Sequence, residues 1–166
     1  MKYTEAKAIA LGGMLGALAL VIMCLVGVIP LATFVCPVLC MILCAVVLLL
    51  CGKRIAWAWY GAVSILALLT APDKESALVF CFLGYYPMAK LAFDQYRFRW
   101  LYKFLLFNVS VLLLYGAAIR ILGMDEVLKE FSEMGTVFTA VTLLLGNITF
   151  LLLDRTLDMV FRKRFR

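Results

Sequence analysis

Apolar runs of about twenty residues, each closed by a proline, a glycine or a short charged stretch, follow one another along almost the whole chain. Roughly 20 apolar residues are what a helix needs to cross the hydrocarbon core of a bilayer. The pattern predicts a first helix from Ala8 to Ile29, closed by Pro30, and a second from Thr33 to Cys51, closed by Gly52, Lys53 and Arg54. A third, from Ile55 to Ala71, ends at Pro72, whose fixed φ and missing N–H punctuate a helix. The fourth, Ser76 to Phe93, is the least hydrophobic and carries Gly84, Tyr85, Tyr86, Pro87 and Lys90, with a kink expected at Pro87. The fifth covers Trp100 to Leu122. After a polar stretch from Asp125 to Glu133, the sixth covers Gly135 to Leu153, with an extension to Phe161 left open. The expectation is an all-α integral membrane protein, in which residues 1–166 form a single transmembrane domain, one bundle of about six helices.

Composition strengthens this picture. With 66% of its residues apolar and 16% charged, the chain has more hydrophobic surface than one soluble core could hide. The first apolar run follows Lys2 and Lys7 as a secretory signal would. It is longer than the usual apolar region of about 7–15 residues and lacks a small-residue cleavage site, so it is expected to remain in the mature protein.

The net charge of +6 does not point to nucleic acid, because the bases lie in short loops and at the C-terminus, where lipid headgroups and topology rules place them. With both termini inside, Lys2, Lys7, Lys53, Arg54, Lys90, Arg97, Arg99, Lys103, Arg155, Arg162, Lys163, Arg164 and Arg166 are cytoplasmic, and only Lys74, Arg120 and Lys129 are external. Thirteen of the 16 bases on one side is the bias expected of a multi-pass plasma-membrane protein with cytoplasmic ends. The loops Asp73 to Glu75 and Asp125 to Glu133 are then external and net acidic.

Catalytic chemistry finds little support. The chain has no histidine, so a metal-ligating H-E-x-x-H motif is impossible, and no serine sits in a G-x-S-x-G elbow. The six cysteines read as small, buried, reduced side chains, although Cys36, Cys40 and Cys44 share a helical face. Asp154 and Asp158, beside Arg155 and Arg162, read as a charged helix end, and Lys90 as paired along its own helix with Asp94. No enzyme, cofactor or metal is expected.

Two patterns suggest binding. In the first helix Ala6, Ala10, Gly13 and Ala17 recur at steps of four, three and four, a small-residue row that lets another helix approach closely. It serves either packing within this bundle or docking of a partner subunit. In the sixth helix Thr136, Thr139, Thr142, Gly146, Asn147, Thr149 and Asp154 fall within half of the circumference, opposite an apolar half that includes Leu144, Ile148, Leu151 and Leu152. Asn147 near mid-membrane needs hydrogen-bond partners, either a ligand or another helix. Asn108 and Tyr115 share a face of the fifth helix, with Arg120 near its external end, while Tyr85 and Tyr86 lie deeper than an interfacial aromatic belt.

Ala6-Lys-Ala-Ile-Ala10, followed by Leu-Gly-Gly-Met-Leu-Gly-Ala-Leu, together with six short spans and internal ends, resembles the substrate-binding S-component of energy-coupling factor (ECF) transporters, whose first helix carries an Ala-x-x-x-Ala signature. The resemblance implies an external cavity for a vitamin or other micronutrient, formed by external loops and the outward halves of helices four to six. It also implies partners: the lipid bilayer, a coupling transmembrane subunit and two cytoplasmic ATPases of the ATP-binding cassette type. Substrate-binding candidates are Asp73, Glu75, Tyr85, Tyr86, Tyr115, Arg120, Thr139 and Asn147, with Asp125 at the gate, and docking candidates are Ala6, Ala10, Gly13 and Ala17. The rival is a non-transporting scaffold similar to the MreD type of envelope-assembly protein, which would lack an external cavity. A lipid-handling enzyme is a third reading and would gather polar groups near Asp94, Arg97 and Arg99.

Overall fold

The computed structural model describes residues 5–27, 32–93, 99–122, 144 and 146–161, and among these there is no strand. The helices are α1 (Glu5–Cys24, continued by a 3-10 turn Leu25–Gly27), α2 (Ala32–Cys51), α3 (Lys53–Thr70), α4 (Lys74–Leu83), α5 (Tyr86–Phe93) and α6 (Arg99–Leu122). A further helix, α7, covers residues 146–161. Among the described residues three stretches are long and apolar enough to cross a membrane: Glu5–Cys24, Thr33–Cys51 and Lys74–Phe93, the last made of α4 and α5 together. Residues 135–143, the first half of the expected sixth helix, lie outside the described residues.

The core forms around α2, which packs on α1, α3, α4 and α5. Its buried face is built of Cys40, Met41, Cys44, Ala45, Val47 and Leu48, and the small members of that set bring neighbouring backbones close. The thiols of Cys40 and Cys51 point at α1, donating to the carbonyls of Ala19 (3.5 Å) and Ala8 (3.3 Å). On α1 the buried row is Ala8, Gly12, Gly16, Ala19 and Met23. Trp59 of α3 lies against that row, and its indole N–H donates to the Gly12 carbonyl at 3.0 Å.

The turn between α3 and α4 is closed by its own charges. Asp73 caps α4, its carboxylate accepting from the backbone N–H groups of Glu75 (3.0 Å) and Ser76 (3.4 Å), and so satisfies donors that a helix start leaves orphaned. Lys74 folds back to donate to the carbonyls of Leu68 (2.9 Å) and Ala71 (3.1 Å) at the end of α3, where the helix dipole favours a cation.

The expected fourth helix is interrupted at Gly84–Tyr85, ahead of Pro87. A proline in a helix interior would clash with the carbonyl four residues before it, here that of Leu83. The chain ends α4 at Leu83 and restarts at Tyr86, so Pro87 falls in a first turn where no N–H is required. The Tyr85 carbonyl then accepts from both Met88 (3.0 Å) and Ala89 (3.1 Å). Gly84 permits the turn because a Cβ there would stand 2.5 Å from the Phe80 carbonyl oxygen and 3.0 Å from the Tyr60 and Phe80 rings. Gly84→Ala is expected to cost about 1–3 kcal/mol through this crowding, read as a lower unfolding midpoint in detergent.

Candidate functional site

A cavity of about 350 Å³ opens between α2, α4, α6 and α7. It lies at the small end of the range of ligand cavities. One wall is α2, with Phe34, Val38 and Met41; a second is Glu75, Val79 and Leu83 of α4 with Tyr86 of α5; Phe107, Val111 and Leu114 of α6 and Gly146, Thr149, Phe150 and Leu153 of α7 complete it. The lining is therefore almost wholly aliphatic and aromatic. Phe107 stacks on Phe150 (centroids 4.5 Å apart, 24° between planes), and Tyr86 meets Phe150 edge-on at 4.7 Å, which fixes three rings of the wall as one block.

Tyr86 joins this cavity to a buried ionic cluster. Its hydroxyl donates to Asp154 Oδ1 at 2.6 Å. The same carboxylate accepts from Lys90 and, at 3.3 and 3.4 Å, from Lys103, while Lys90 also reaches the Asp154 carbonyl (3.0 Å) and Asp158 (2.8 Å). Lys90 is fully buried, and Lys103 and Asp154 are each 5% exposed, whereas the Asp158 side chain is half-exposed. Three elements, α5, α6 and α7, are thus tied at one point by charges that a low-dielectric interior tolerates only when paired. The reading of Asp154 as part of a solvated helix end is corrected here: the carboxylate points inward because the buried face of α7 runs Phe150, Leu153, Asp154, Leu157 and Phe161. Lys90 is committed across the bundle to Asp154 and Asp158 of α7; Asp94, the partner expected along its own helix, lies outside the described residues.

The substrate candidates read from sequence fall in different places. Glu75 and Tyr86 line the cavity. Asp73 is the α4 cap. Tyr85 hydrogen-bonds Ser110 of α6 (2.9 Å), bracing the α4–α5 break against that helix. Asn147 accepts from Asn108 (3.3 Å), an amide bond between α6 and α7. Tyr115 and Arg120 belong to α6, but their side chains lie outside the described residues, as do Thr139 and Asp125 entirely. The apolar half of the sixth helix is exposed as far as it is described, at Leu144, Ile148, Leu151 and Leu152.

Sequence reasoning passed over two groups. The α2 wall is signalled by Phe34, Val38 and Met41 at steps of four and three, one face of a helix. The cluster is signalled by Lys90 and Lys103 within apolar helices, where ionisable groups pair or serve a function. All four docking candidates, Ala6, Ala10, Gly13 and Ala17, are exposed, and nothing lies within 4 Å of where a Gly13 Cβ would stand. The chain packs its own bundle with the neighbouring row.

Compared with protein-family models, with curated proteins and with solved structures, the chain matches none.

Proposed function

We propose that the chain is the membrane-embedded substrate-binding subunit of a micronutrient uptake transporter of the energy-coupling factor class, with six spans and cytoplasmic termini. The observation that carries the reading is the cavity among α2, α4, α6 and α7. A scaffold has no need of such a space, and in the topology set by the basic residues the Glu75 end of the cavity faces outward. The outward row Ala6, Ala10, Gly13 and Ala17 supports the same reading, since small residues left uncovered on a membrane helix invite a second helix. In this reading substrate enters from outside, the row docks on a coupling subunit, and cytoplasmic ATPases supply the energy.

Affinity purification of the tagged chain from its native membrane is expected to bring down ATP-binding cassette subunits. Ala10→Trp or Gly13→Trp is expected to abolish that association while leaving the unfolding midpoint unchanged, because both positions face away from the bundle. Undiminished association in the double variant removes the docking assignment, and the absence of ATPase subunits from the wild-type preparation removes the transporter reading.

A further inference from the structure

The lining of the cavity defines the chemistry of its occupant. Glu75 sits in the first turn of α4 and Tyr86 in the first turn of α5, eleven residues further along. At about 1.5 Å of rise per residue α4 alone carries the wall about 12 Å from Glu75 to Leu83 before the chain breaks and Tyr86 follows, so the space is elongated. Between them the described walls offer Phe34, Val79, Phe107, Val111 and Phe150, with Thr149 the one polar side chain among them, too few groups to replace the water around a sugar or a polyol. Among the described residues no lysine or arginine lines the space, and its one acid is Glu75. The two buried ammonium groups nearby lie beyond Tyr86 and are held by Asp154, with Asp158 also on Lys90. Among the described residues an anionic ligand finds no counter-charge in the lining, and it would meet Glu75.

Resting on the transporter reading, we propose that the substrate is an elongated amphiphile with an aromatic or branched-hydrocarbon body and a neutral or cationic polar end at the level of Glu75. Carboxylated and phosphorylated forms bind more weakly, repelled by Glu75. The body lies along the Phe107–Phe150 stack and reaches the Tyr86 ring, and the polar end stays at the mouth where water remains.

Three probes sharing one body test the assignment: 4-biphenylmethanol, 4-biphenylmethylammonium and biphenyl-4-carboxylate, titrated calorimetrically into the full chain in a neutral maltoside detergent. Saturable binding is expected for the alcohol and the ammonium, and at least about tenfold weaker binding for the carboxylate, which brings a second negative charge to the level of Glu75. Gly146→Leu is expected to remove binding of all three. A Cβ at Gly146 has no atom nearer than Phe107 at 3.9 Å, so a side chain can start there without a clash at a position that lines the cavity. Val111→Phe fills the same space from α6 and provides a second blocked variant should the first fail to fold. Carboxylate binding equal to or tighter than the others, unaltered binding in both blocked variants, or no saturable binding of any probe overturns the proposal. So does native mass spectrometry in which the molecule displaced by Gly146→Leu is a phospholipid. The titration uses no partner subunit, so its failure with ATPases still co-purifying refutes the ligand class alone, and its success without them refutes the transporter reading alone.

Discussion

Asp154→Asn is expected to lower the stability of the bundle by about 3–5 kcal/mol, the range for breaking a buried ion pair from one side. The amide keeps the size of the side chain and can still accept from Tyr86, so the effect isolates charge. In the wild type Lys90 and Lys103, both buried in the bundle, share the Asp154 carboxylate, and Lys90 also reaches Asp158. Remove it, and Lys90 keeps the half-exposed Asp158 while the Asp154 anion is gone from both ammonium groups. Both ammonium groups then lose a buried anion at a site where water hardly reaches them. Replacing the whole buried set in Lys90→Met, Lys103→Met, Asp154→Leu is expected to recover most of the loss, since ion pairs exchanged for well-packed apolar groups are commonly neutral or better. Denaturation in mixed micelles, followed by circular dichroism, measures both. Asp154→Asn with wild-type stability would mean that the cluster is hydrated, and failure of the triple variant to recover would mean that Asp154 acts through shape rather than charge.

The helix boundaries were legible where a breaker stood. Gly52 and Pro72 bound α3, and its expected limits, Ile55 to Ala71, differ from Lys53–Thr70 by two residues at most. Pro87 signalled a disturbance but not its position, because the clash of a proline is resolved upstream, at whichever residue can turn; here that is Gly84, wedged against Tyr60 and Phe80. The cavity was half legible. Polarity singled out Glu75 and Tyr86, but an apolar lining looks like any other lipid-soluble surface until α2 is placed beside α4. Asp154 was the least legible. Its partners lie 64 and 51 residues away, and periodicity reports only which face of a helix a residue occupies, not what that face meets. The same holds for α1, whose two interleaved small-residue rows are equivalent in sequence and differ only in which one Trp59 covers.

That difference between the rows leads to the second large effect. Trp59→Ala is expected to cost about 2 kcal/mol, less than the 3–5 kcal/mol usual for such a truncation in a water-soluble core. In lipid the transfer of apolar surface gives no driving force between helices, so what is lost is dispersion contact and the indole bond to the Gly12 carbonyl. The indole also meets Phe80 edge-on at 6.4 Å, so the cavity left behind reaches from α1 towards α4. Filling the groove from the other side should do comparable harm. A Cβ on Gly16 would stand 3.3 Å from the indole nitrogen and 3.7 Å from Val63, and Gly16→Leu is expected to cost about 1–3 kcal/mol by overpacking. Gly13→Leu adds the same atoms to the same helix three residues away, where the surroundings are open, and is expected to change stability by no more than about 0.5 kcal/mol. Because helix propensity is common to the two leucine variants, their difference in unfolding midpoint reports packing alone. A Gly13→Leu protein as unstable as Gly16→Leu would place the outer row inside the bundle and remove the uncovered surface on which docking depends.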